Sequence, residues 1–140
     1  MLKVNVKKYH KDAKLPKKAH SGDLGFDLYS VEEMIIRPNE VNRIRTGIGM
    51  KCEREIGFLL KERSGMANKY GAEVIAGVID AEYTGEIIVL MKTIKTFVVD
   101  KGDKIAQAIP MIVFDFDINE VSELDETSRG QKGFGSSGNK

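Results

Sequence analysis

Gly77-Val78-Ile79-Asp80-Ala81-Glu82-Tyr83-Thr84-Gly85 separates two apolar runs, Ala72 to Ala76 and Glu86 to Met91. Apolar runs joined through a glycine-bounded segment predict a β-hairpin with this segment as its turning end. A plain hairpin turn takes only about two to five residues. This one is longer and carries a carboxylate, a phenol ring and a glycine at each end. Strand-anchored loops hold side chains accurately enough for chemistry. Asp80 is therefore expected to act as a general base and Tyr83 as a wall of a ligand pocket.

Outward from the hairpin, most of the chain reads as strand. Met1 to His10 alternates apolar and polar residues, and Met34 to Arg37, Asn42 to Met50 and Ile56 to Glu62 are short apolar segments punctuated by Pro38-Asn39, Gly47 and Gly49. Thr93 to Val99, Ile105 to Ile109 and Met111 to Phe116 continue the pattern. Asp115 and Asp117 alternate with Phe114, Phe116 and Ile118, which describes a half-exposed strand better than a metal pair. Arg63 to Gly71 predicts the one short helix, with Ser64 as N-cap and Gly71 ending it. Free N–H groups at Ser64, Gly65 and Met66, with Arg63 alongside, make a candidate anion site. Gln107 inside an apolar strand is either a core hydrogen-bonding residue or a ligand contact. Asp27, between Phe26 and Leu28, is either a satisfied turn acceptor or a partner of metal-bound water.

The totals bound the class. At 140 residues, with a net charge of +1 and 41% hydrophobic residues, the chain fits one soluble domain with a real core. The lysines of the first 18 residues are spread along strand and loop, so a solvated face is expected rather than a nucleic-acid site. The single cysteine, Cys52, suggests a reducing compartment. No membrane-spanning run or secretion signal is read, so an intracellular location, cytoplasmic or nuclear, is expected. His10 and His20 lack metal-ligand spacing.

From Ser128 the composition becomes glycine-rich and polar, which predicts a flexible tail. Gly133 to Gly138 matches G-x-G-x-x-G, but no βαβ unit surrounds it, so the dinucleotide fingerprint is a false match. A lone ring, Phe134, and a cation, Arg129, in a glycine arm suit a lid over a base and phosphates.

Five segments in this order, Gly22–Ser30, Arg63–Gly71, Gly77–Gly85, Gly102–Gln107 and Arg129–Gly138, resemble the trimeric dUTPases, deoxyuridine triphosphate nucleotidohydrolases. The resemblance covers most of the chain. It implies an all-β, jelly-roll-like fold with one short helix near residues 64–70, where periodicity alone gives only many short strands. Residues 1–127 would form the β domain and residues 128–140 a flexible arm closing over the active site of a neighbour in a homotrimer. The implied reaction is Mg2+-dependent hydrolysis of dUTP to dUMP and pyrophosphate, which limits uracil incorporation into DNA and supplies dUMP for thymidylate synthesis. No direct nucleic-acid or membrane binding is expected.

The resemblance also implies roles. Asp80 would activate the water that attacks the α-phosphorus. Arg63, Ser64, Gly65 and Met66 would hold phosphate oxygens, and Gln107 the water or a phosphate. Asp27 would be either a partner of magnesium through water or a structural brace. Gly77, Val78 and Ile79 would offer backbone groups to the uracil edge, Tyr83 would exclude a 2′-hydroxyl, and Phe134 would stack on the base. Arg129, Gly135, Ser136 and Ser137 would hold the outer phosphates. Glu62 stands where the family often has Pro, and Glu82 and Thr84 stand where Asp and Arg are common. No Asn lies between Gly71 and Asp80, so base recognition rests on backbone. The alternatives are a dCTP deaminase-like enzyme of the same fold and a dUTP-responsive regulatory binding protein.

Overall fold

The structure is a computed structural model and describes residues Met1–Lys140. Short strands dominate because β-branched and other apolar residues alternate with polar ones, giving each strand one face for a core. In chain order they are β1 (Val4–Lys8), β2 (Phe26–Tyr29), β3 (Met34–Ile36), β4 (Asn42–Arg45), β5 (Ile48–Cys52) and β6 (Ile56–Lys61). The helix α1 (Ser64–Tyr70) follows, then β7 (Glu73–Ile75), β8 (Val78–Ile79), β9 (Ile88–Lys92), β10 (Phe97–Val99) and β11 (Lys104–Ile112).

Every strand pairing is antiparallel, within a jelly-roll-like arrangement. The largest sheet runs β2-β11-β6-β8, a second runs β4-β9-β7, and β1-β5 and β3-β10 form two-stranded pairs. The expected hairpin is present, since Val74 faces Met91 between β7 and β9. Its turning end does something a hairpin turn does not: β8 leaves its parent sheet and pairs with β6 of the other, Ile79 facing Phe58 and Val78 facing Leu59. The segment expected to run from Asn42 to Met50 is two strands. Gly47 breaks it with φ of 68°, at a corner where an added Cβ would sit 2.7 Å from Val31.

The core gathers Leu28, Ile36, Ile44, Leu60, Val89, Met91 and Ile105 between the sheets. Its buried polar groups are satisfied. Asn42 accepts from the Arg37 N–H at 2.9 Å and donates to the carbonyls of Arg37 and Met91, and the Thr46 hydroxyl donates to the Ile87 carbonyl at 2.6 Å. Such pairing removes the cost of burying an amide or hydroxyl.

The end of the chain departs from expectation. The strand predicted over Met111 to Phe116 stops at Ile112, because β6 begins at Ile56, the residue paired with Ile112, and offers no partner beyond it. The Val113 N–H makes one more bond, to the Glu55 carbonyl. From residue 114 to 140 the hydrogen bonds are all local, and every side chain is exposed. No helix is long and apolar enough to cross a membrane.

Candidate functional site

The sequence-predicted residues fall into three groups, and one chain does not bring them together. The first surrounds the start of α1. Helical geometry begins at Ser64 and not after it: Arg63 is the N-cap, with extended φ and ψ, and no side chain caps the helix. The expected capping role of Ser64 is thus corrected. The Ala67 N–H makes the first helical bond, to the Arg63 carbonyl at 3.0 Å. The N–H groups of Ser64, Gly65 and Met66 precede it and lack helical acceptors. Gly71 ends the helix as expected, with φ of 65°.

Around this turn, Arg63, Ser64, Gly65, Asp23, Asp27 and Gln107 line one polar depression of about 310 Å³. The Met66 side chain packs instead toward the core and a neighbouring hollow beside Tyr70 and Phe97, leaving only its backbone to the depression. Asp27 and Gln107 face each other across β2 and β11. Both Asp27 oxygens are engaged, Oδ1 with Arg63 Nε at 3.3 Å and Oδ2 with Lys104 Nζ at 2.9 Å. Asp27 therefore holds the flank of the guanidinium. Gln107 Nε2 donates to the Glu62 carbonyl at 3.1 Å. Its Oε1 lies 2.8 Å from where a Cβ on Gly25 would be, so glycine at 25 makes room for the amide.

Gly65 is different. A Cβ there would meet nothing within 4 Å, its φ is not left-handed, and glycine costs about 1 kcal/mol in a helix relative to alanine. The fold gives no reason for it, whereas a ligand approaching the backbone does. Glu62 does not crowd this depression. Its carboxylate accepts from the Val74 N–H at 3.2 Å and pairs with Lys61 at 3.3 Å. Burial raises its pKa, but its own N–H, the Val74 N–H and Lys61 outweigh burial and hold it below the usual glutamate value. Asp23 is held low too, chiefly by the His20 backbone N–H at 2.8 Å.

The second group lies at the other end of the same sheet. Gly77, with φ of 76°, passes its carbonyl to the Leu60 N–H at 2.7 Å. Gly57 lies under the next turn, where a Cβ would be 2.6 Å from the Ile79 carbonyl oxygen and 3.3 Å from the Ala81 nitrogen. Val78, Ile79 and the exposed Asp80 border an apolar depression of about 290 Å³ in which Asp80 is the only charged residue. The Asp80 carbonyl accepts the Tyr83 N–H at 3.1 Å, closing a turn. The Tyr83 ring lies on Gly85 and its hydroxyl donates to the Glu86 carbonyl at 2.8 Å. Gln107 pairs with Lys61 and Met111 with Gly57. The two depressions are thus separated by four residues of strand, about 13 Å.

The third group, Arg129, Phe134, Gly135, Ser136 and Ser137, touches neither depression: Arg129 Nε donates to the Lys132 carbonyl, and Phe134 is fully exposed. Sequence reasoning missed Lys104 and Gly25. Both lie inside quoted motif segments, but only the fold shows their partners. No cluster of three or more His, Cys, Asp or Glu side chains exists that could hold a metal by itself. A hard cation suits this donor set only when substrate phosphates and water complete its shell, as magnesium commonly requires.

The dUTPase family model matches residues 11–138. A deoxyuridine 5'-triphosphate nucleotidohydrolase of Clostridioides difficile is 43% identical, over 99% of both chains. Among solved structures, a mutant of the Staphylococcus bacteriophage 80alpha dUTPase with dUpNHpp superposes with a TM-score of 0.90. It is 26% identical, over 97% of this chain and 98% of that one. A phage phi11 dUTPase mutant, 22% identical with a TM-score of 0.81 over 89% of this chain and 99% of that one, has the same fold and is described with a structural Mg(II) ion.

Proposed function

Because the chain belongs to the dUTPase family, we propose that it hydrolyses dUTP to dUMP and pyrophosphate, at sites built where copies of the chain meet in a homotrimer. The observation that carries this is the separation of the two depressions. A carboxylate beside an apolar, base-sized hollow sits at one end of the sheet, and a cluster of unpartnered N–H donors with Arg63 at the other. A nucleoside triphosphate needs both, and juxtaposing one end with the other end of a second copy supplies both. A dCTP deaminase-like activity is not favoured, since family and relatives alike are dUTPases.

The segment that follows β11 supports the assembly. Residues 113–127 carry six acidic residues and no Lys or Arg, interleaved with Phe114, Phe116, Ile118, Val121 and Leu124, all exposed. Residues 1–18 carry seven lysines and one acid, beside an apolar hollow lined by Leu2, Val4, Leu15, Pro16 and Phe26. An acidic, apolar segment and a basic, apolar face on the same chain fit one another between copies. Within this scheme residues 1–127 are the body, and residues 128–140 close over a neighbour's site.

In the mechanism, Asp80 accepts a proton from the water attacking the α-phosphorus. The backbone of Gly77, Val78 and Ile79 pairs with the uracil edge, and cytosine's opposite donor pattern leaves groups unpaired at about 1–3 kcal/mol each. Tyr83 packs on the deoxyribose. Arg63, with its terminal amino groups unpaired, and the N–H groups of Ser64, Gly65 and Met66 bind phosphate oxygens. Gln107, its amide fixed by Glu62, holds the water through Oε1 or a phosphate oxygen through its second Nε2–H. Asp27 orients Arg63. Phe134 stacks on the base, and Arg129, Gly135, Ser136 and Ser137 grip the outer phosphates. Mg2+ bound to the triphosphate supplies neutralisation of the charge developing on pyrophosphate. The test is pyrophosphate release from dUTP, UTP, dTTP and dCTP, with Mg2+ and with EDTA, monitoring ammonia from dCTP. Selective, EDTA-sensitive cleavage of dUTP is expected. A folded protein that binds dUTP and cleaves nothing would overturn the proposal.

A further inference from the structure

We propose that Tyr9 is a positioning residue that sets discrimination against the ribose 2′-hydroxyl from outside the ligand pocket, by holding the turn that carries Tyr83. The inference rests on the dUTPase activity proposed above. Tyr83 is 45% exposed, so no core packing fixes its ring. Its place depends on how the Tyr83–Glu86 backbone is tied down.

Three ties are present. The Tyr9 hydroxyl donates to the Thr84 carbonyl at 2.5 Å, across 75 residues of sequence. Tyr9 is itself anchored, its N–H donating to the Gly47 carbonyl at 2.7 Å beside the β4–β5 corner. Gly49 supplies the second tie by having no side chain. A Cβ there would lie 2.6 Å from the Thr84 oxygen, 2.8 Å from the Gly85 oxygen and 2.9 Å from Tyr9 Cε2, so ring and turn share its space. Third, Arg45 grips the Glu86 carboxylate through two bonds, at 2.8 and 3.1 Å, and the Glu86 carbonyl receives the Tyr83 hydroxyl. Of the three, the Tyr9 bond is the one hydrogen bond made to Thr84, the residue immediately after Tyr83.

The Thr84 turn is exposed, and Tyr9 is 42% exposed. Water replaces the lost hydroxyl in a Tyr9→Phe variant, and no buried group is orphaned. The fold should not depend on this bond, whereas the position of Tyr83 should.

Tyr9→Phe keeps the ring against Gly49 and removes only the donor. The readout is the ratio of kcat/KM for dUTP to that for UTP, with melting temperature measured alongside. The ratio should fall about three- to tenfold, the range expected for one hydrogen bond, with Tm nearly unchanged and kcat for dUTP within about twofold. Tyr83→Ala should show the larger loss, and Tyr9→Phe/Tyr83→Ala should be no less selective than Tyr83→Ala alone, because both act through one ring. An unchanged ratio in Tyr9→Phe overturns the inference. So does equal loss for both nucleotides with a lowered Tm, or a double variant whose losses multiply. A wild-type chain that fails to cleave dUTP overturns this inference together with the proposed function, whereas a selective wild type with an unaltered Tyr9→Phe ratio overturns this inference alone.

Discussion

Replacing Gly57 by alanine places one methyl group where the Asp80 loop rests on β6. The added carbon would start 2.6 Å from the Ile79 carbonyl oxygen, 3.3 Å from the Ala81 nitrogen and 3.6 Å from the Asp80 carbonyl carbon. All three are backbone atoms, so no side chain can swing aside. Reaching an ordinary carbon–oxygen contact of about 3.3 Å requires a shift of about 0.7 Å. Two strand pairs, Phe58 with Ile79 and Leu59 with Val78, resist that shift. Overpacking of this kind costs about 1–3 kcal/mol, which lowers Tm by roughly 3–10 °C for a chain of this length. The catalytic effect should be larger in proportion. Displacing a reacting group by close to 1 Å costs up to about 10²-fold, so kcat on dUTP should fall about 10- to 100-fold, with KM rising as the backbone proposed to pair with uracil moves too. Thermal melting and steady-state pyrophosphate release, both below the variant's Tm, measure the two effects. A Gly57→Ala enzyme with wild-type kcat would refute the claim that β6 positions Asp80.

Asp80→Asn should abolish turnover while leaving binding of a non-hydrolysable dUTP analogue within a few-fold, measured by calorimetry. Equal loss of both would assign Asp80 a structural part. Removing residues 129–140 should leave Tm unchanged, because those residues make only local contacts, and cut kcat/KM by more than about tenfold through the lost base stacking. Gly65→Ala should raise Tm slightly, since alanine favours a helix, yet weaken dUTP binding, a combination that a structural glycine would not give. Glu62→Gln tests a pH effect. The folded carboxyl sits below its ordinary value of 4.5, so its stabilisation is present above that pH and is lost as pH falls through the lower folded value. The variant should melt below wild type at pH 7, and the difference should close under acid.

Much of this was legible before any coordinates. Alternation placed most strands, and Gly71 ended the helix because glycine alone takes a left-handed φ without strain. The misses have physical causes. Ser64 fits an N-cap by residue type, but the extended backbone of Arg63 takes that position, so the serine hydroxyl stays free for a ligand. The strand predicted through Phe116 ended early because alternation records what a segment prefers to pair with and not whether its own chain supplies the partner. Lys104 and Gln107, three apart, should face opposite sides of β11. A register shift between Lys104 and Ala106 turns both toward Asp27, and a local irregularity of this kind has no periodic signature. The departure of β8 to the largest sheet was equally invisible, since strand pairing between distant segments is set by the packed whole.

On the proposed assembly, the gap of four strand residues between the two depressions would make function a property of pairs of molecules. If one copy lends Asp80 and another lends Arg63 to Met66, a defect in one half of a chain silences only the site to which that half is lent. Subunits carrying Asp80→Asn would then be silent by themselves, and so would subunits whose Arg63-to-Met66 turn no longer binds phosphate. Mixed in equal amounts and allowed to exchange, they would rebuild about one competent site in four, those in which each neighbour contributes its intact half. Two null alleles in the same cell would then complement each other, and dilution of the wild-type protein below its assembly threshold would silence it without unfolding it.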